Sequence, residues 1–162
     1  MPKVALVMGS KSDWEVCKPA VKVLEKYGVG VTVRIISAHR TPELAHEFAG
    51  SARENGFEVL IAAAGKAAHL AGVLAAYTTL PVIGIPVKSS FLDGMDSLLS
   101  MVQMPSGIPV ATVAVNGGEN AGILALQILA LKYPDVAEKL RRFKVEMAEK
   151  VAKDDAELQK EF

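Results

Sequence analysis

The sequence predicts an α/β fold on a five-stranded parallel sheet, and three observations carry that expectation. Short β-rich apolar runs recur as "KVALVM", "VTVRIIS", "VLIAAA", "PVIGIPV" and "IPVATVAV". Segments of helical pattern separate them, which is the alternation of βαβ units. Most of the runs are apolar at consecutive positions rather than at every second one, as expected of strands covered by helices on both faces.

The elements follow in order. After the first run, Ser12 and Glu15 have capping-box spacing and predict a helix to about Tyr27, with Gly28 as its stop. After the second, Thr41 and Pro42 supply an N-cap and a first-turn proline for a helix closed by Gly56. Further helices are predicted over residues 68–78, 93–103 and 119–132. There is no internal repeat and no low-complexity segment.

From Pro134 to Glu161 the chain is helix-prone throughout, with Val136, Leu140, Phe143, Met147 and Val151 on one stripe. Such a helix is roughly 42 Å long at ~1.5 Å per residue, whereas a core of about 130 residues has a radius of gyration near 14 Å. The expectation is one α/β domain over residues 1–162, with residues 134–162 packed on a neighbouring subunit of a homo-oligomer.

Composition excludes several classes of function. Eighteen basic residues balance eighteen acidic ones, which leaves no global field to attract nucleic acid or an anionic membrane. The first apolar run stops at Gly9, too short for a signal segment or a membrane span, so a cytoplasmic location is expected. The lone Cys17 shares a helical stripe with Trp14, Val21 and Leu24 and reads as a packing residue. Neither His39 nor His69 has the i, i+4 companion of a zinc helix, and no metal is expected. A nucleophile elbow, a P-loop and a dinucleotide fingerprint are all missing.

Ligands of open α/β sheets bind beyond the carboxyl ends of the strands. That rule selects "GSKSD" (residues 9–13), "SAHRTP" (37–42) and "AGKAAHLAG" (64–72). The first offers a glycine turn, hydroxyls and free N–H groups at a helix start, a combination that holds phosphate and equally suits an ordinary capped turn. In the second, Arg40 can grip a phosphate and His39 can move a proton, a stronger reading than a solvated arginine beside a histidine that merely caps the sheet. The third is small and apolar, which either leaves room for a ligand near the backbone and keeps water out or serves only tight helix–sheet packing. His46 falls mid-helix in "ELAHEF" and reads as a surface histidine.

At these loops the sequence becomes recognisable. "MGSKSDW", "SAHRTP", "AAHLAG", "PVIGIPV", "DSLLSMVQMPSGIPVATVAV" and "NAGILALQIL" resemble the phosphoribosylaminoimidazole carboxylase family, in its bacterial mutase class, over residues 3 to about 133. The resemblance implies a flavodoxin-like three-layer sandwich and an octamer with active sites at subunit contacts. It also implies a cofactor-free transfer of a carboxylate from the exocyclic N5 to ring C4 of an aminoimidazole ribonucleotide, in purine biosynthesis.

Carried over by motif, Ser10, Ser12, Asp13 and Arg40 would hold the ribose phosphate. Ser37, His39 and Gly65 would surround the migrating carboxylate, with His39 as the proton carrier. Lys66, Ala67, His69 and Leu70 would complete the substrate-binding set. The family's CO2-dependent class resembles "AGRSN" at the third loop, whereas "AGKAAH" here fits the mutase class better. Lys66 and Ala71 depart from the mutase pattern, which has a glycine and a proline there. A lysine after Gly65 must take an ordinary conformation or bear strain. A flavodoxin-like binding module is the competing reading from another class, and it has only Trp14 to stack on a flavin.

Overall fold

In the computed structural model, which describes residues 1–162, five parallel strands lie in the order β2-β1-β3-β4-β5. They are β1 (Lys3–Met8), β2 (Gly30–Ile35), β3 (Val59–Gly65), β4 (Val82–Val87) and β5 (Ala111–Thr112). The helices are α1 (Trp14–Lys26), α2 (Pro42–Gly50), α3 (Leu70–Tyr77), α4 (Met95–Val102), α5 (Gly118–Ala130) and α6 (Pro134–Leu158). The chain divides into two compact units, Met1–Ala125 and Leu126–Phe162.

In the first unit, the register pairs Met8 with Ile35 on one side and Ala63 on the other, and Gly65 with Val87. The loops after the first four strands therefore leave the sheet along one edge. Val4 to Val7 of β1, Val59 to Ala63 of β3, and Ile83 and Ile85 of β4 are buried, and a core of Leu60, Leu70, Leu74, Phe57 and Met101 packs on one face. Each large side chain so buried contributes about 2 kcal/mol. Gly118 lets α5 approach α1 closely, because a Cβ there would collide with the carbonyl oxygen of Val16.

Four expectations are corrected in detail. Cover on both faces holds for β1, β3 and β4 but not for the edge strand β2, where Val33 and Ile35 are 37% and 52% exposed. The capping box does not form: Ser12 sits inside a 3₁₀ turn (Lys11–Asp13) and bonds Ser10, so α1 starts at Trp14. The second helix ends at Gly50 rather than at Gly56. There the Ser51 hydroxyl donates to the Glu47 carbonyl and the Asn55 amide donates to Ser51, which replaces the helical ladder with turns up to Gly56 at φ +79°. The fifth strand has two residues, not eight. Pro86 gives its carbonyl to the Asn116 N–H but has no N–H of its own to return on that side, and Asn116 turns to φ +58°.

In the second unit α6 runs for 25 residues, about 38 Å. Glu138 accepts from Arg141 at 2.8 and 2.9 Å and from Arg142 at 3.1 Å, and these bonds hold its carboxyl down at about 2. The apolar stripe loses cover along the helix: Val136 is buried, Leu140 and Phe143 are half-buried, and Met147 and Val151 are 44% and 68% exposed.

Candidate active site

The sheet order reverses direction between β1 and β3, and at that switch point the carboxyl edge opens into a cavity of about 480 Å³. The first loop enters it as a tight turn. The Gly9 N–H donates to Ala63 across the strands at 3.1 Å, and the Ser10 hydroxyl receives the Ser12 hydroxyl at 3.0 Å and the Ser12 N–H at 3.4 Å. Ser10, Ser12 and Asp13 all line the cavity. Asp13 is only 7% exposed. Burial pushes its carboxyl above the usual aspartate value, partly offset by a bond from the Ser10 backbone. Behind it, burial and the Asp13 charge push the Cys17 thiol up to about 12, which makes that cysteine unreactive.

The second loop is closed on itself. The Ser37 N–H donates to the Thr41 hydroxyl at 3.0 Å, that hydroxyl donates back to the Ser37 carbonyl at 2.9 Å, and the Arg40 N–H donates to the Ser37 hydroxyl at 3.1 Å. Thr41 therefore stiffens the loop and makes no side-chain cap on α2, where Pro42 alone marks the start. His39 and Arg40 are held at the exposed tip, both facing the cavity with Ser37.

From the third loop come Gly65, Lys66, Ala67, His69 and Leu70. A side chain at Gly65 would meet the Val87 carbonyl at 3.4 Å, so the loop runs close to the end of β4. Lys66 lies at φ +55°, a left-handed backbone that costs a non-glycine residue about 1–2 kcal/mol. Ala71, the other departure, is fully buried in the first turn of α3. His69 just precedes α3, and its Nδ1 lies 2.9 Å from His39 Nε2, with the rings edge-on at 82°.

The residues placed in the substrate-binding set from sequence, together with His39, thus all line one cavity. Sequence reasoning missed a fourth wall, Val87, Lys88 and Ser89, although "PVIGIPVKSS" ends a strand in the same way as the other three loops. There the Lys88 N–H donates to Asn116 Oδ1 at 2.9 Å and its Nζ lies 3.2 Å from Asp93, while the Ser89 hydroxyl donates to both oxygens of Asp96. His46 packs on Tyr77, with ring centroids 4.4 Å apart, away from the cavity. No three His, Cys, Asp or Glu side chains are grouped so as to share a metal ion. No helix is long and apolar enough to cross a membrane.

Fold and site together define a doubly wound, flavodoxin-like α/β protein whose switch-point cavity joins a hydroxyl-rich turn to an imidazole pair. The sequence model described as AIR carboxylase matches residues 3–150, and the chain belongs to that family. Over 147 residues it is 59% identical to N5-carboxyaminoimidazole ribonucleotide mutase of Pyrococcus abyssi, covering 91% of this chain and 84% of that one. The protein of the same name from Mycobacterium tuberculosis is 50% identical over 159 residues, covering 98% and 91%. Among solved structures, Treponema denticola PurE superposes with a TM-score of 0.89 at 28% identity, covering 98% of this chain and 99% of that one.

Proposed function

We propose that this chain is an isomerase of purine biosynthesis, an N5-carboxyaminoimidazole ribonucleotide mutase that moves a carboxylate from the exocyclic N5 to ring C4. The observation that carries this reading is the His39–His69 pair, 2.9 Å apart, in a cavity that also holds the Ser10–Ser12 turn and Arg40. High identity to relatives bearing the mutase name supports it.

Ser10, Ser12, Asp13 and Arg40 hold the ribose phosphate. Ser37, His39 and Gly65 surround the carboxylate, and Lys66, Ala67, His69 and Leu70 close the third side. His39 gives a proton to N5 as the carbamate C–N bond breaks, releasing CO2 beside the aminoimidazole ring. Ring C4 then attacks the carbon of CO2, and the proton displaced from C4 returns to His39, so the enzyme ends as it began. The hydrogen bond to His69 orients the His39 ring and shares the ring hydrogen between facing nitrogens. Ala64, Gly65 and Ala67 leave little that could hold water near the trapped CO2.

The active assembly is a homo-oligomer, an octamer, and the exposed Met147 and Val151 on α6 supply an apolar face for a neighbouring copy. The same reading implies a cytoplasmic enzyme that uses no cofactor. Assays with N5-carboxyaminoimidazole ribonucleotide, and separately with aminoimidazole ribonucleotide plus bicarbonate, test the proposal. The carbamate is expected to give the C4 carboxylate faster. Faster product from bicarbonate would mark a CO2-dependent carboxylase, and no product from either would contradict both.

A further inference from the structure

Arg40, Lys66 and Lys88 bring three cationic side chains to the cavity, and Asp13 is the only acid lining it. Lys88 is already matched, with Asp93 3.2 Å from its ammonium. Arg40 and Lys66 make no ion pair. They sit on different loops, after β2 and β3, and the His39–His69 bond joins those two loops.

Lys66 is also the cavity residue in a disfavoured backbone conformation, at φ +55°. A glycine would hold the same turn without strain. Where a strained residue persists beside a ligand cavity, its side chain is the first place to look for the reason. Here that side chain ends in an unpaired ammonium, which attracts an anion most strongly where the cavity wall excludes part of the solvent.

We infer that Lys66 is a specificity-determining residue that recognises the transferable carboxylate of the nucleotide, leaving Arg40 to the phosphate. The inference rests on the mutase reading above. Substrate and product both carry that carboxylate, whereas the CO2 formed between them is neutral. Lys66 therefore stabilises both stable ends of the reaction and gives nothing to the step between, so removing it raises KM and kcat together and leaves kcat/KM nearly constant. It also separates carboxylated from uncarboxylated nucleotide.

Titration calorimetry at low salt tests this, with 4-carboxy-5-aminoimidazole ribonucleotide and uncarboxylated aminoimidazole ribonucleotide as probes, on the parent enzyme, Lys66→Gln and Lys66→Gly. Lys66→Gln is expected to bind the carboxylated nucleotide about fivefold more weakly, the size of a solvent-screened ion pair, with the uncarboxylated one nearly unchanged. Lys66→Gly is expected to lose the same discrimination, since it removes the charge while suiting the backbone. Equal weakening of both nucleotides in Lys66→Gln, or no weakening of the carboxylated one, overturns the inference while leaving the mutase reading in place. A parent enzyme that binds neither nucleotide overturns the mutase reading and this inference with it.

Discussion

His39 Nε2 lies 2.9 Å from His69 Nδ1, so a single hydrogen bond ties the loop after β2 to the loop after β3, thirty residues further along the chain. A histidine held in this way has a fixed ring orientation and a partner to share its proton, which suits an acid that must become a base within one turnover. His39→Asn keeps hydrogen-bonding shape without a transferable proton. It is expected to lower kcat by about 10²–10⁴-fold while nucleotide affinity by calorimetry stays within a few-fold. Turnover within about tenfold of the parent would remove His39 from that role.

Arg40 stands next to His39 in the chain, and in the proposed reaction it serves a different end of the substrate. A phosphate anchor contributes nearly the same energy to bound substrate and transition state, so Arg40→Ala is expected to raise KM by roughly tenfold or more, with kcat changed much less. Steady-state kinetics separate the two. A fall in kcat at constant KM would put Arg40 at the reacting end.

For Asp13 the outcome concerns stability as well as binding. Its carboxyl titrates higher in the folded chain than the ordinary value of 3.8, because burial disfavours the charge. The folded state thus holds that proton better than the unfolded one. The stabilising effect is complete below the ordinary value and is lost as pH rises through the folded value. Above the folded value the ionised Asp13 opposes folding. Asp13→Asn is therefore expected to raise Tm at pH 7, with the gain shrinking toward pH 4, and to weaken nucleotide binding. A lower Tm at pH 7 would mean that the charge is compensated.

Much of this was legible in the sequence because it depends on local chemistry. Five β-rich runs, the stops at Gly28 and the Thr-Pro start at Pro42 are signals carried by neighbouring residues. What was not legible depends either on which of several local partners a hydroxyl takes or on residues far apart in the chain. Ser12 has the spacing of a cap, but Ser10 captures its hydroxyl first. Thr41 precedes a helix, but Ser37 takes its hydroxyl into the loop. The fifth strand is stopped at its carboxyl end by Pro86 on the strand beside it. The left-handed backbone of Lys66 appears only when the loop is traced, and no periodicity carries the pairing of His39 with His69.

On α6 the exposed Met147 and Val151 continue a stripe that begins at the buried Val136. If a second copy covers them, the double substitution Met147→Glu and Val151→Glu should reduce the assembled mass by light scattering and lower activity along with it. The helix itself should survive, since glutamate is a good helix former. An unchanged assembly with full activity would show that this face has no partner.

In the proposed reaction one carboxyl group moves within a single nucleotide, carried as trapped CO2 between N5 and C4 beside the His39–His69 pair. This transfer is tested most directly by supplying N5-carboxyaminoimidazole ribonucleotide labelled with carbon-13 in the carbamate carboxyl, in a large excess of unlabelled bicarbonate, and reading the C4 carboxylate by mass spectrometry at early times. Most of the label is expected to be retained in the first product formed. Product carrying the unlabelled carbon of the bulk bicarbonate would contradict that transfer, because the carboxyl group would then be drawn from solution and not from the substrate.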